Sequence, residues 1–265
     1  MSHPNNKTSL SSVDNQEIEL IVGNSSANFS GVTSTMLQVT SLQKHMINLR
    51  IMGKHFVPDP SMTITFWEVA KMCRRPLSNG KWRIFHARRV DEMIQGVILK
   101  YVFRAKIKLV FSSAAQRKRS ASTVWLSNKM DAVIAMSNRS AKYLNKPPAK
   151  INLHGVQIDN YTPAENKQEA WQALGYGGKY GIGILGRVRE QKGVHLFVDA
   201  CIKVLPKYPD VNAVVVGAIS SSNQEFVNEL KEKISKATNL GMSHIQISDT
   251  IIRTPLPGFS NHSDE

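Results

Sequence analysis

Cysteine is nearly absent: Cys73 and Cys201 are the two thiols in 265 residues. So few, so far apart, they form neither a disulfide framework nor a Cys-x-x-Cys zinc site, and they suit a reducing cytoplasm. Long apolar runs are missing too. Stretches such as residues 213–216 are strand-sized, well short of the ~20 residues a membrane-spanning helix requires. Residues 1–16 are rich in Ser, Asn and Thr and contain no apolar signal core, so a disordered leader on a non-secreted protein is expected. Aromatics make up 7% of the chain. No recognition-helix, zinc-finger or aromatic RNA-binding pattern accompanies them, which argues against a nucleic-acid partner. What is present is the composition of a globular protein, 42% apolar and 20% charged, long enough for one large or two ordinary domains.

Acidic residues are scarce in one place. Residues 71–150 hold 19 lysines and arginines against Asp91, Glu92 and Asp131, which accounts for the whole net charge of +14. Such a segment attracts phosphates, nucleic acid or an anionic membrane surface, and charge alone does not choose among them. A solvated basic face with no specific partner is the competing reading.

Strand-like runs alternate with helix-like segments, the rhythm of parallel α/β architecture. Strands are expected at residues 18–22, 47–52, 82–86, 108–112, 132–135 and 151–153. Residues 31–35 form a small-residue turn feeding a helix. Residues 92–103 read as a helix that places Met93, Val97, Leu99 and Val102 near helical spacing. Pro147-Pro148 and residues 154–163 break the rhythm, so the domain boundary is placed at 154–163, after a first domain at 17–153. A second α/β unit follows at 164–247. Its strands are expected at 180–185, 213–216 and 244–247, and its helices at 194–205 and 223–236, the latter striped by Phe226, Leu230 and Ile234. Residues 248–265 read as an irregular tail. This second unit is short for a doubly wound nucleotide-binding half, which uses five or six strands.

The sharpest local signal is Gly186-Arg187-Val188-Arg189-Glu190-Gln191-Lys192-Gly193. An apolar strand ends at Gly186 and Gly193 opens a helix. Arg187 and Lys192 would therefore stand at the carboxyl edge of a parallel sheet beside a helix N-terminus, where such folds receive phosphates. The spacing matches neither a Walker loop nor the Gly-x-Gly-x-x-Gly of dinucleotide binders. An exposed basic turn with a helix-capping glycine remains the alternative.

Six stretches, in order, resemble the family 4 retaining glycosyltransferases of GT-B type, and most closely the lipopolysaccharide core mannosyltransferases. They are Ser30-Gly31-Val32-Thr33-Ser34-Thr35, His86-Ala87-Arg88-Arg89, Phe111-Ser112-Ser113-Ala114-Ala115-Gln116-Arg117, Met130-Asp131-Ala132-Val133-Ile134-Ala135, His154-Gly155-Val156 and residues 186–193. The resemblance implies two Rossmann-like parallel-sheet domains and transfer of a hexose, mannose in these relatives, from a nucleotide sugar such as GDP-mannose to the lipopolysaccharide core. It implies that Arg187 and Lys192 bind the donor diphosphate. Gly31 and Gly186 would be close-approach loop residues, and His86 would be catalytic beside the transferred sugar. Arg88, Arg89 and Arg117 would face an anionic acceptor or surface. No metal or other cofactor is implied, and the place of work would be the cytoplasmic face of the inner membrane, held peripherally. In this family the departing phosphate is described as taking the proton of the incoming hydroxyl, which leaves no role for a protein base.

The chain departs from that pattern in its second half. Relatives carry two glutamates separated by seven residues within a Gly-Phe-Gly type segment. Here the nearest pair, Glu225 and Glu232, lies on the polar side of a helix, Gly258-Phe259 lacks a preceding glutamate, and only Glu265 follows. Gln157 stands where many relatives have Asp. An incomplete C-terminal domain is therefore expected, and with it the alternative of a catalytically impaired remnant that keeps only acceptor or membrane binding.

Overall fold

The computed structural model describes residues 17–155, 163–239 and 244–248. Two compact units divide the chain, Met1–Gln157 and Ile158–Glu265.

The first unit is a seven-stranded parallel sheet. Its strands are β1 (Leu20–Gly23), β2 (Leu49–Met52), β3 (Thr63–Ile64), β4 (Arg83–Ala87), β5 (Ile107–Ser113), β6 (Ala132–Ala135) and β7 (Lys150–Ile151), in spatial order β3-β2-β1-β4-β5-β6-β7. The chain builds outward from β1 to β3, returns to the other side of β1, and continues to β7. Direction thus reverses between β1 and β4, and in such sheets the crevice at the carboxyl ends of those two strands receives ligands.

Period-two alternation sets the core. Ile21, Phe85 and Leu109 lie side by side in register on one face. They join Val69 of α2 (Phe66–Met72), Met93 of α3 (Val90–Val97) and Leu126 of α4 (Ala121–Asn128) in one apolar cluster. Gly96 lets α3 lie close on that face, since a Cβ there would fall 2.9 Å from the Phe85 ring. Burying each such large side chain contributes ~1.5–3 kcal/mol. The alternate residues Leu20, Val22 and Ile51 are buried as well, as are Met36 and Leu37 of α1 (Gly31–Gln43).

Helix starts follow local side-chain chemistry. Ser30 Oγ accepts from Thr33 N at the head of α1, and Thr65 and Glu68 form a reciprocal capping box at α2. The helix expected at residues 92–103 begins two residues earlier and widens into a π-turn over Ile98–Val102. The wider turn alters the helical phase, so Leu99 stays buried while Val102 is 68% exposed.

The second unit has a three-stranded parallel sheet in order β10-β9-β8, from β8 (Tyr180–Leu185), β9 (Val211–Val216) and β10 (Ile245–Ser248). Helices α6 (Lys167–Ala173), α7 (Val194–Val204) and α8 (Gln224–Asn239) accompany it; α5 (Asn138–Ala141) belongs to the first unit. The buried stripe of α8 is Val227, Leu230, Ile234 and Ala237, with Phe226 at its margin. Asp199 of α7 and Lys233 of α8 form an ion pair. Trp171 of α6 lies over Gly181, where any Cβ would enter the indole ring, and its Nε1 donates to the Gly177 carbonyl at 2.8 Å. The tail at 248–265 lies, after Ser248, outside the described residues.

Candidate functional site

At the β1/β4 reversal, a buried carboxylate ties two loops together. Glu92, in the first turn of α3, is fully buried. It accepts from the backbone N–H groups of Arg88 (2.7 Å) and Arg89 (3.1 Å) and from Arg89 Nη1 (3.0 Å). From the loop after β1 it also accepts longer bonds from Ser25 N (3.4 Å) and Ser25 Oγ (3.3 Å). Arg89 Nη2 then reaches Ser30 Oγ (3.1 Å) and Thr33 Oγ1 (2.8 Å) at the head of α1. The loops after β1 and β4 are therefore one braced unit.

That network places the three predicted arginines differently. The Arg89 guanidinium, expected to face an anionic acceptor, is committed to Glu92, Ser30 and Thr33 and acts as a brace. Arg88 is half-buried, and its Nη1 is buried with no hydrogen-bond partner among the described residues. Burial pulls its guanidinium down to about 10, with Glu92 opposing and Arg89 adding to the shift, so it remains a cation at neutral pH. Arg117 is exposed. Arg83, counted with the basic surface in sequence, is instead buried, and its Nη1 donates to the Arg75 carbonyl at 2.7 Å.

His86 precedes this pair on β4, with Nε2 and Ser112 Oγ of β5 sharing a 2.7 Å hydrogen bond. Burial, reinforced by the nearby Arg88 charge, lowers the imidazole to about 3. At neutral pH His86 is an uncharged hydrogen-bonding group and a weak base. Gly31 opens α1, and a Cβ built on it meets nothing within 4 Å. The position is unobstructed, and neither packing nor backbone strain inside the chain requires glycine there.

In the second unit, the loop from β8 to α7 carries the other predicted residues. Arg187 and Lys192 are exposed, and neither makes an ion pair among the described residues. Gly186, at φ 143, bonds through its N–H to the Val216 carbonyl at 2.9 Å. Gly217 presses on it so closely that a Cβ would fall 1.8 Å from the Gly186 carbonyl oxygen. Gly217 is a member of this turn that sequence reading passed over. Gly193, in the left-handed conformation at φ 73, enters α7 with no side-chain cap hydrogen bond among the described residues.

His154 is exposed. Glu225 and Glu232 are exposed on α8, the latter paired with Lys236 at 2.6 Å, as their place on the polar helix face implied. Gln157, Gly258, Phe259 and Glu265 lie outside the described residues. Among the described residues no helix is long and apolar enough to cross a membrane.

Two parallel-sheet units of Rossmann-like build are the architecture of the GT-B glycosyltransferases, and comparison with solved structures agrees on the fold. HepE of Anabaena in complex with UDP superposes with a TM-score of 0.64 at 18% identity, covering 89% of this chain and 71% of that one. The lipopolysaccharide outer core galactosyltransferase WaaB in its apo form gives 0.55 at 10% identity, over 87% and 68%. In sequence, the particular relatives are lipopolysaccharide core biosynthesis mannosyltransferases. LpsB of Rhizobium meliloti is 38% identical over 227 residues, 85% of this chain and 64% of the relative. LpcC of Rhizobium leguminosarum bv. viciae is 37% identical over 226 residues, 84% and 63%. No protein-family profile matches the chain. The chain thus spans just under two thirds of the curated relatives it matches, and the resemblance read from its six stretches stands.

Proposed function

We propose that the chain is a hexosyltransferase of lipopolysaccharide core synthesis, moving mannose from GDP-mannose to a core sugar with retention of configuration. The carrying observation is the 38% identity to a core mannosyltransferase, sustained over 227 residues. In this reading Arg187, Lys192 and the N-terminus of α7 hold the donor diphosphate and offset its growing charge as it leaves. The acceptor hydroxyl oxygen bonds to the anomeric carbon as the carbon–phosphate-oxygen bond breaks. Its proton passes to the departing phosphate on the same face. Neutral His86 orients a sugar hydroxyl by hydrogen bonding, and its weak basicity fits a step without a protein base. Gly31 leaves room for substrate beside α1. Positioning and leaving-group stabilisation then supply the rate.

The enzyme would work peripherally at the cytoplasmic face of the inner membrane. The basic segment 71–150 supports this, as does its aromatic company: Lys129 Nζ sits 5.4 Å from the Trp125 ring and 5.9 Å from that of Tyr101. Such basic-aromatic surfaces suit anionic headgroups.

The test is incubation of purified protein with labelled GDP-mannose and a truncated core acceptor. The expected product is a mannosylated core whose new linkage keeps the donor's anomeric configuration by NMR. No product after long incubation would overturn the proposal in favour of a non-catalytic remnant.

A further inference from the structure

The amino ends of β4 and β5 lie at the opposite pole of the first sheet from the loops after β1 and β4. β5 alone runs seven residues, roughly 20 Å at ~3.3 Å per residue, so a ligand at this pole is remote from that crevice. Here Arg74, Val102, Phe103, Arg104 and Lys106 line an open basin of about 400 Å³. That is within the ~300–1,000 Å³ of small-ligand sites. Arg74, Arg104 and Lys106 are exposed, and none makes an ion pair among the described residues. Three like charges around one basin repel one another, and an anion between them relieves the repulsion. Aromatic rings flank the cations. Lys106 Nζ stands 5.6 Å from the centre of the Trp82 ring, and Phe103 meets Trp67 edge-to-face at 5.5 Å.

Backbone bonds hold the basin in shape. Lys106 N donates to the Cys73 carbonyl at 2.6 Å, which ties the start of β5 to the end of α2, and Ala105 N donates to the Leu99 carbonyl at 2.9 Å. Between these two bonds Arg104 sits at φ 55, one of two non-glycine residues at positive φ among the described residues. It follows a helix end, where glycine is usual because an L side chain is strained in that conformation. The strain is offset only by something the arginine side chain does. A cation set against the negative end of the helix dipole is the competing account.

We infer that Arg74, Arg104 and Lys106 form a second ligand site, at the amino ends of β4 and β5, which takes the phosphate groups of a phosphorylated compound. Guanidinium forks and an ammonium converging on one basin match the several oxygens of a phosphate, and Val102 and Phe103 supply an apolar wall for the rest of the ligand. The site does not rest on the transferase reading.

Two binding measurements test it at physiological ionic strength, in the full chain carrying R187A/K192A so that the proposed donor loop is silenced. One is calorimetric titration with inorganic pyrophosphate; the other is co-sedimentation with phosphatidylglycerol vesicles, against phosphatidylcholine vesicles as the neutral reference. R104G should weaken binding about tenfold or more in at least one arm, as should K106Q, while K118Q, which removes a charge from the opposite pole, changes it less than about twofold. Loss confined to pyrophosphate identifies a soluble phosphorylated ligand, and loss of phosphatidylglycerol binding identifies a lipid headgroup. Glycine adopts positive φ without strain, so the urea midpoint of R104G should be no lower than that of the parent chain, which separates lost binding from lost folding. A lower midpoint would assign Arg104 to the helix end instead. Absence of R104G-sensitive binding in both arms, or an equal loss in K118Q, would overturn the site.

Discussion

Replacing Glu92 by Gln should be among the most damaging single changes in the first unit. The carboxylate is fully buried and serves three donors at 2.7–3.1 Å, Arg88 N, Arg89 N and Arg89 Nη1, with Ser25 N and Oγ further off. Glutamine keeps one acceptor oxygen, but turns an N–H₂ group towards donors and leaves Arg89 without its counter-charge. Removing one partner of a buried ion pair costs ~3–5 kcal/mol. Against a typical domain stability of ~5–15 kcal/mol this is a large fraction. With a urea slope of ~2 kcal/mol/M, the midpoint should fall by roughly 2 M. Three of the four tryptophans, Trp67, Trp82 and Trp125, lie in this unit, so intrinsic fluorescence in a urea titration reports chiefly on it. If the proposed transfer reaction holds, the variant should also lose it under conditions where it remains folded, because the brace sets the loops after β1 and β4. A midpoint shift below about 0.5 M at unchanged slope would refute the bracing role.

Two further outcomes follow from the geometry. His86 is depressed to about 3 in the folded chain, whereas the unfolded imidazole titrates near ~6.5. The unfolded state therefore binds more protons between those values, and wild type should lose stability as pH falls through that window. H86Q should lack this component; parallel stability curves for the two proteins between pH 7 and 5 would show that the ring is not held neutral. In the second unit, G217A drives a methyl group into the Gly186 carbonyl and should cost more than about 2 kcal/mol, read as an earlier loss of Trp171 fluorescence in a variant whose other tryptophans are replaced by Phe. Wild-type stability of G217A would mean that the turn carrying Arg187 is not built on this contact.

The parallel architecture was legible because doubly covered strands read as short apolar runs, as β9 does. The two-residue β3 is too short to leave a pattern. Helix α4 buries only Leu126, so its apolar stripe carries no periodic signal. The π-turn after α3 is invisible to a fixed 3.6-residue period, which is why Val102 was expected inside and stands outside. For the candidate site, sequence marked the segments after β1, β4 and β8, but not the division of labour within them. Arg88 and Arg89 are alike as letters. Only the backbone turn after β4 decides that the Arg89 guanidinium meets Glu92 while, among the described residues, that of Arg88 pairs with no carboxylate. Glu92 read as one acid in a basic stretch, although its place three residues after Arg89, at the head of a helix, is the spacing of a capping pair. Arg117 and Arg119 were separable only once Ser113 and Phe111 fixed the second of them.

The most direct test of the donor assignment is GDP binding by wild type and by R187A/K192A, measured calorimetrically at one ionic strength. Loss of two charge-assisted contacts should weaken binding about a hundredfold or more. Equal affinity in the two proteins would contradict the account, because the β8–α7 loop would then hold no diphosphate.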